Sequence, residues 1–106
     1  MSNSHVFITG GAGFIGCNSA DHFLRRGDAV TIYDNLSRKG GRSNLAWLHA
    51  EHGSDRLTVV EADIRDYDRL AATMTAAAPD VVLHSDAVQA AGERVRAHAL
   101  YHAALA

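Results

Sequence analysis

One cysteine, one proline and one lysine in 106 residues set the first limits on this chain. A lone cysteine closes no internal disulfide, so the fold rests on a hydrophobic core and a reducing, cytoplasmic setting is expected. Cys17, next to Gly16, reads as a small packing residue rather than a reactive thiol. No apolar run approaches the roughly 20 residues that span a bilayer, so no membrane partner is expected. The start, Met1-Ser2-Asn3-Ser4-His5, enters an apolar segment directly and lacks signal-peptide character. A net charge of −2 offers no basic face, which argues against nucleic acid. Repeats and low-complexity linkers are missing as well. A chain this short, 47% hydrophobic and 21% charged, is one small soluble domain or a piece of a larger one.

Glycine is concentrated where it matters, in Thr9-Gly10-Gly11-Ala12-Gly13-Phe14-Ile15-Gly16. The apolar, β-branched run Val6-Phe7-Ile8-Thr9 before it reads as a buried strand. Cys17 to Arg26 after it reads as a helix, with Phe14, Ile15, Ala20, Phe23 and Leu24 expected on its inward face. A second apolar run, Ala29 to Tyr33, ends in Asp34, eighteen residues beyond Gly16. Strand, glycine turn, helix, strand and terminal acid together describe a dinucleotide-binding βαβ unit. Gly10 permits the tight turn, Gly13 lets backbone approach a pyrophosphate, and Gly16 brings helix against sheet. Amides of the first helical turn have no internal partner and welcome an anion. Asp34 can accept from both hydroxyls of a ribose. A P-loop is excluded, since no Gly-Lys-Ser/Thr follows.

Alternation of strand and helix continues. Asn35 to Arg42 is a polar loop, and Ser43 to His52 a helix capped by Ser43, with Leu45, Trp47 and Leu48 as apolar contacts and Gly53 just past its end. Leu57 to Glu61 is a third strand and Ala62 to Arg65 a turn. Asp66 caps a helix through Ala77 with Leu70, Ala71 and Met74 inward; Pro79 ends it, and Asp80 to His84 is a fourth strand. Ser85 to Ala106 is alanine-rich and helical by propensity. The pattern predicts an α/β fold, a Rossmann-type parallel sheet in the order 3-2-1-4 with flanking helices. Ligands of such sheets bind beyond the carboxyl ends of the strands, where Gly10, Asp34, Asp63 and His84 fall. No metal site is expected: His98 and His102 lack a third ligand, His49 and His52 fare no better, and Asp63, Asp66 and Asp68 read as a turn and a helix start.

The glycine run and Asp34-Asn35-Leu36 resemble the NAD-dependent epimerase/dehydratase family, the extended short-chain dehydrogenases/reductases. The longer run Asp34-Asn35-Leu36-Ser37-Arg38-Lys39-Gly40, then Asn44-Leu45 and Trp47-Leu48, is similar to the CDP-tyvelose/CDP-paratose 2-epimerase group, and Asp63-Ile64-Arg65 to the family's adenine-contacting element. The resemblance spans residues 5 to 84 and implies NAD as cofactor. It implies that Phe14 and Ile15 offer backbone amides to the pyrophosphate and that Asp34 and Asn35 hold the adenosine ribose, with Ser37 and Arg38 beside it. Asp63 would then accept from the adenine amino group and Ile64 pack on the ring.

The family's catalysis uses a Tyr-x-x-x-Lys pair. Four residues after Tyr33, Tyr67 and Tyr101 stand Ser37, Ala71 and Leu105, and Lys39 is the sole lysine, so no catalytic residue is assigned. After His84 the family's small residues against the cofactor are replaced by Ser85-Asp86-Ala87, where Asp86 would bring a carboxylate toward the pyrophosphate. The expected organisation is therefore an NAD-binding half-domain over 1–84 and a tail over 85–106 that is either a diverged helix or an out-of-frame product. Three readings stay open: the amino-terminal portion of a nucleotide-sugar epimerase, inactive by itself; a free-standing dinucleotide-binding module completed by self-association or a partner chain; and a non-functional truncated gene product.

Overall fold

The computed structural model describes residues 4–84. The tail helix expected over 85–106, with Asp86, His98 and His102, lies outside the described residues. Four parallel strands, β1 (His5–Thr9), β2 (Ala29–Asp34), β3 (Leu57–Glu61) and β4 (Val81–His84), form one sheet in the order β3-β2-β1-β4. Register is set by His5 opposite Ala29 and Thr9 opposite both Tyr33 and His84. The sequence thus predicts both the strands and their order.

Side-chain alternation sorts the core into two layers. Val6, Ile8, Val30, Ile32 and Leu57 face the helices α1 (Phe14–Arg25) and α2 (Gly41–His52), where Cys17, Ala20, Leu24, Leu45 and Leu48 meet them. Phe7 and Tyr33 face the other way, toward Leu70 and Met74 of α3 (Tyr67–Ala77). Val6, Phe7 and Ile8 are at most 1% exposed. A central parallel strand is buried on both faces, hence the continuous apolar run.

Three local expectations are corrected. Phe14 and Ile15 are exposed, at 81% and 60%; the inward stripe of α1 is Gly16, Cys17, Ala20 and Leu24. Small residues at 16, 17 and 20 bring the helix close to the sheet, and the bulky pair falls off that stripe. The second helix begins at Gly41 rather than after Ser43, because Gly40 takes a left-handed turn (φ 89°) that starts it earlier. Trp47 is 41% exposed, since the buried positions Gly41, Leu45 and Leu48 define a face that excludes it. Asp66 does cap α3, accepting from Arg69 N. Ala78 closes that helix in the left-handed region (φ 46°) ahead of Pro79, which disfavours a right-handed helical residue before it.

Candidate functional site

A cleft of about 140 Å³ opens beyond the carboxyl ends of β1, β2 and β3. Its floor is the glycine turn. Gly10 sits at φ 71°, donates to Tyr33 O at 2.9 Å and accepts from Gly13 N at 3.1 Å. The first helical bond of α1 runs from Cys17 N to Gly13 O at 2.8 Å, so the amides of Phe14, Ile15 and Gly16 precede the helical ladder. Gly13, the N-cap, supplies no side chain, which leaves that end to an external acceptor. A residue that sequence reasoning passed over is Gly11. A Cβ there would stand 2.7 Å from both γ carbons of the fully buried Ile32, so the turn lies directly on β2.

Asp34 ties the cleft together. Its Oδ2 accepts from Ala12 N at 3.0 Å and its Oδ1 from Leu36 N at 2.7 Å, joining the glycine turn to the loop after β2. The second bond also holds Leu36 at φ 57°, a conformation disfavoured for its branched side chain. Asn35 Oδ1 accepts from Ser37 N at 3.1 Å and Asp63 Oδ1 from Arg65 N at 2.8 Å, so each strand end carries a side chain fixing the amide two residues on. The ends of β2 and β3 are joined by Ala62 N to Asp34 O at 3.0 Å and by the Tyr33 hydroxyl donating to Asp63 O at 3.1 Å. Burial pushes the Tyr33 phenol up, so it stays a donor. The Asp63 carboxyl is held down at about 2, chiefly by side-chain hydrogen bonds from Arg65.

Of the residues expected at the site, Gly10, Gly13, Asp34, Asn35, Ser37, Arg38, Asp63 and Ile64 line this cleft. Gly16 is buried within α1. The side chains of Phe14 and Ile15 line a different groove, with Phe23 and Leu83, and only their backbone belongs to the helix end beside Gly13. Tyr33, Ala62 and Arg65 line the cleft without having been assigned there. The signal for Arg65 was its place in Asp63-Ile64-Arg65; that for Tyr33 was its position just before the terminal acid. Arg42 is not among the lining residues and pairs with Glu61, Nη2 3.2 Å from Oε2. His84 packs at the end of β4 against Thr9, Nδ1 2.7 Å from Oγ1. Among the described residues, no three His, Cys, Asp or Glu side chains are grouped to hold a metal ion, and no helix is long and apolar enough to cross a membrane.

The family model described as GDP-mannose 4,6 dehydratase matches residues 7–102, beyond the His84 limit drawn from the sequence. CDP-paratose 2-epimerase of Salmonella typhi is 38% identical over 79 residues, covering 74% of this chain and 22% of that protein. The probable UDP-arabinose 4-epimerase 3 of Arabidopsis thaliana is 40% identical over 92 residues, covering 85% of this chain and 22% of that protein. Among solved structures, UDP-glucose-4-epimerase from Stenotrophomonas maltophila, with bound NAD and formylated UDP-arabinopyranose, matches with a TM-score of 0.76 at 30% identity. It covers 97% of this chain and 33% of that one. UDP-glucose 4-epimerase from Brucella ovis, in complex with NAD, matches with a TM-score of 0.66 at 38% identity, over 95% of this chain and 28% of that one. The chain therefore spans about a fifth of the length of these curated relatives.

Proposed function

This chain belongs to the NAD-dependent epimerase/dehydratase family, and from that premise we propose that residues 4–84 form the adenosine and pyrophosphate end of an NAD site serving nucleotide-sugar epimerisation. The observation that carries this reading is the single cleft joining the Gly10–Gly13 turn, the Asp34 carboxylate and the Asp63 carboxylate at the ends of three adjacent strands. The residues present fit the cofactor. Phe14 and Ile15 amides, with Gly10, Gly13 and Gly16 keeping the approach open, take the pyrophosphate. Asp34 and Asn35 hold the ribose, Ser37 and Arg38 flank it, Asp63 accepts from the adenine amino group, and Ile64 packs on the ring. NAD, when bound, supplies a reversible hydride acceptor; the described residues bind and orient its adenosine half.

Asp34 opposes a 2′-phosphate by like charge, at a cost of about 1–4 kcal/mol per charge pair at contact distance. Of the two arginines able to accept such a phosphate, Arg42 is engaged with Glu61 and does not line the cleft, whereas Arg38 does. Titration calorimetry of the purified chain should show NAD and ADP-ribose binding with similar affinity and NADP binding more weakly. Failure of both NAD and ADP-ribose to bind would overturn the reading, and equal affinity for NAD and NADP would count against the placement of Asp34. Identification of the sugar rests on the run from Asp34 to Leu48, which favours a CDP-sugar, within a family that also contains UDP-sugar enzymes.

A second reading is favoured by one observation. The sequence contains a single lysine, Lys39, and no tyrosine four residues before it, so the 106-residue chain has no Tyr-x-x-x-Lys base. On that reading the chain is a dinucleotide-binding module, cytoplasmic and completed by self-association or by a partner chain. Assayed alone, it should then bind NAD yet leave CDP-sugars unchanged, since general acid–base catalysis contributes ~10²–10⁴-fold. Measurable epimerisation by the pure chain would refute it.

A further inference from the structure

Three of the hydrogen bonds to Asp63 come from one residue. Arg65 gives its backbone N–H to Oδ1 at 2.8 Å, its Nε–H to the same oxygen at 3.0 Å, and its Nη2 to Oδ2 at 2.7 Å. An ionised carboxylate offers about four acceptor positions, two on each oxygen. Oδ1 is thereby saturated, and Oδ2 retains one position. The peptide beneath is pinned too, because the buried Tyr33 hydroxyl donates to Asp63 O at 3.1 Å.

We infer that Arg65 is the positioning residue that sets base selectivity in this cleft, by reducing Asp63 to a single fixed acceptor that takes one N–H of a 6-aminopurine and rejects a 6-oxopurine. The inference rests on the adenosine reading given above and goes beyond it by naming what makes the acceptor selective. A carboxylate with open oxygens can rotate, take water or become protonated, and a protonated carboxyl donates to a carbonyl. The Arg65 fork opposes rotation and protonation and leaves one position, on Oδ2, for either water or a base. Rotation would break up to three bonds at once, and the adjacent guanidinium keeps the group ionised far below neutral pH. At the 6 position a 6-oxopurine then presents an oxygen to an oxygen, its N1–H standing to one side, while a 6-aminopurine presents a donor directly.

The test compares ADP with IDP, which differ at the 6 position of the base and at the adjoining N1 (an acceptor in ADP, an N–H donor in IDP), by calorimetry on the full chain and on its R65A and R65K variants. The unaltered chain should bind ADP roughly 10- to 100-fold more tightly than IDP, the range for a hydrogen bond to a charged group. That ratio should stay flat from pH 7 to pH 4. R65A should bring the two affinities within about threefold of each other and make the remaining ratio fall as pH enters the ordinary carboxylate range. R65K, which keeps charge but loses the fork, should lie between. A merely structural role would lower both affinities together and leave the ratio intact, and that result in R65A would overturn the inference. Equal binding of ADP and IDP by the unaltered chain would overturn it while leaving the adenosine reading standing; binding of neither would remove both.

Discussion

At the scale of single residues, the cleft depends on a few atoms whose loss has calculable consequences. Asp34 satisfies two backbone amides at once, on Ala12 and Leu36. Asp34→Ala is expected to cost about 1–3 kcal/mol through those amides and to abolish discrimination between NAD and NADP; urea unfolding and paired titrations check both. Gly11→Ala places a methyl group 2.7 Å from two carbons of Ile32, a β-branched side chain in the core that cannot turn aside. It should destabilise by about 1–3 kcal/mol, measured as a lower urea midpoint with an unchanged slope. Arg65 lowers the Asp63 carboxyl from 3.8 to about 2, so the ionised form favours the fold. The resulting stability is present above pH 4 and lost as pH falls through 2. Arg65→Ala should therefore be less stable than the unaltered chain near neutral pH, with the difference shrinking between pH 4 and pH 2 in acid unfolding followed by circular dichroism.

At the scale of elements, α1 and α2 are tied to each other and to the glycine turn by polar contacts as well as by packing. His52 Nε2 lies 2.7 Å from Asp21 Oδ1, and Arg25 Nε binds Asp21 Oδ2 at 2.9 Å. Burial pushes the Asp21 carboxyl up, but the bonds from His52 and Arg25 outweigh it and hold the group below its usual value. Asn44 Nδ2 reaches across to donate to Ala12 O at 2.7 Å, so the helix that follows the loop after β2 also braces the glycine turn. A double-mutant cycle with Asp21→Asn and His52→Ala should return a coupling of about 1–3 kcal/mol, whereas additive effects would show that the helices are held by packing alone. Strand types and the site of each helix were legible from period-2 and helical patterns. The inward face of α1 was not, because periodicity counts Phe14 and Ile15 as core-forming while the observed helix turns its small residues to the sheet.

For the molecule as a whole, the sheet order leaves β4 at one edge, with no strand on its outer side among the described residues. Val81 is 39% exposed there, and Phe14, Ile15 and Phe23 of α1 form an apolar groove with Leu83 of β4. Apolar edges of this kind pair with other chains. Light scattering over a tenfold concentration range should show a rising average mass. A constant monomer mass would mean that other residues of the chain cover the edge.

The amino-acid sequence by itself determined the order of elements, the parallel sheet and the placing of glycines and an acid at the carboxyl ends of its strands. These follow from local rules: side-chain period, glycine's freedom at positive φ, and the chemistry of an acid at a strand end. Only the tertiary structure decided which backbone groups Asp34 serves, that Gly11 lies on Ile32, and that Tyr33 and Arg65 belong to the cleft. Residues 22 and 30 positions apart, Ala12 with Asp34 and Tyr33 with Asp63, meet there only because the sheet brings three strand ends together. Such contacts carry no sequence period, since they are fixed by strand register and by the turn that each strand end enters.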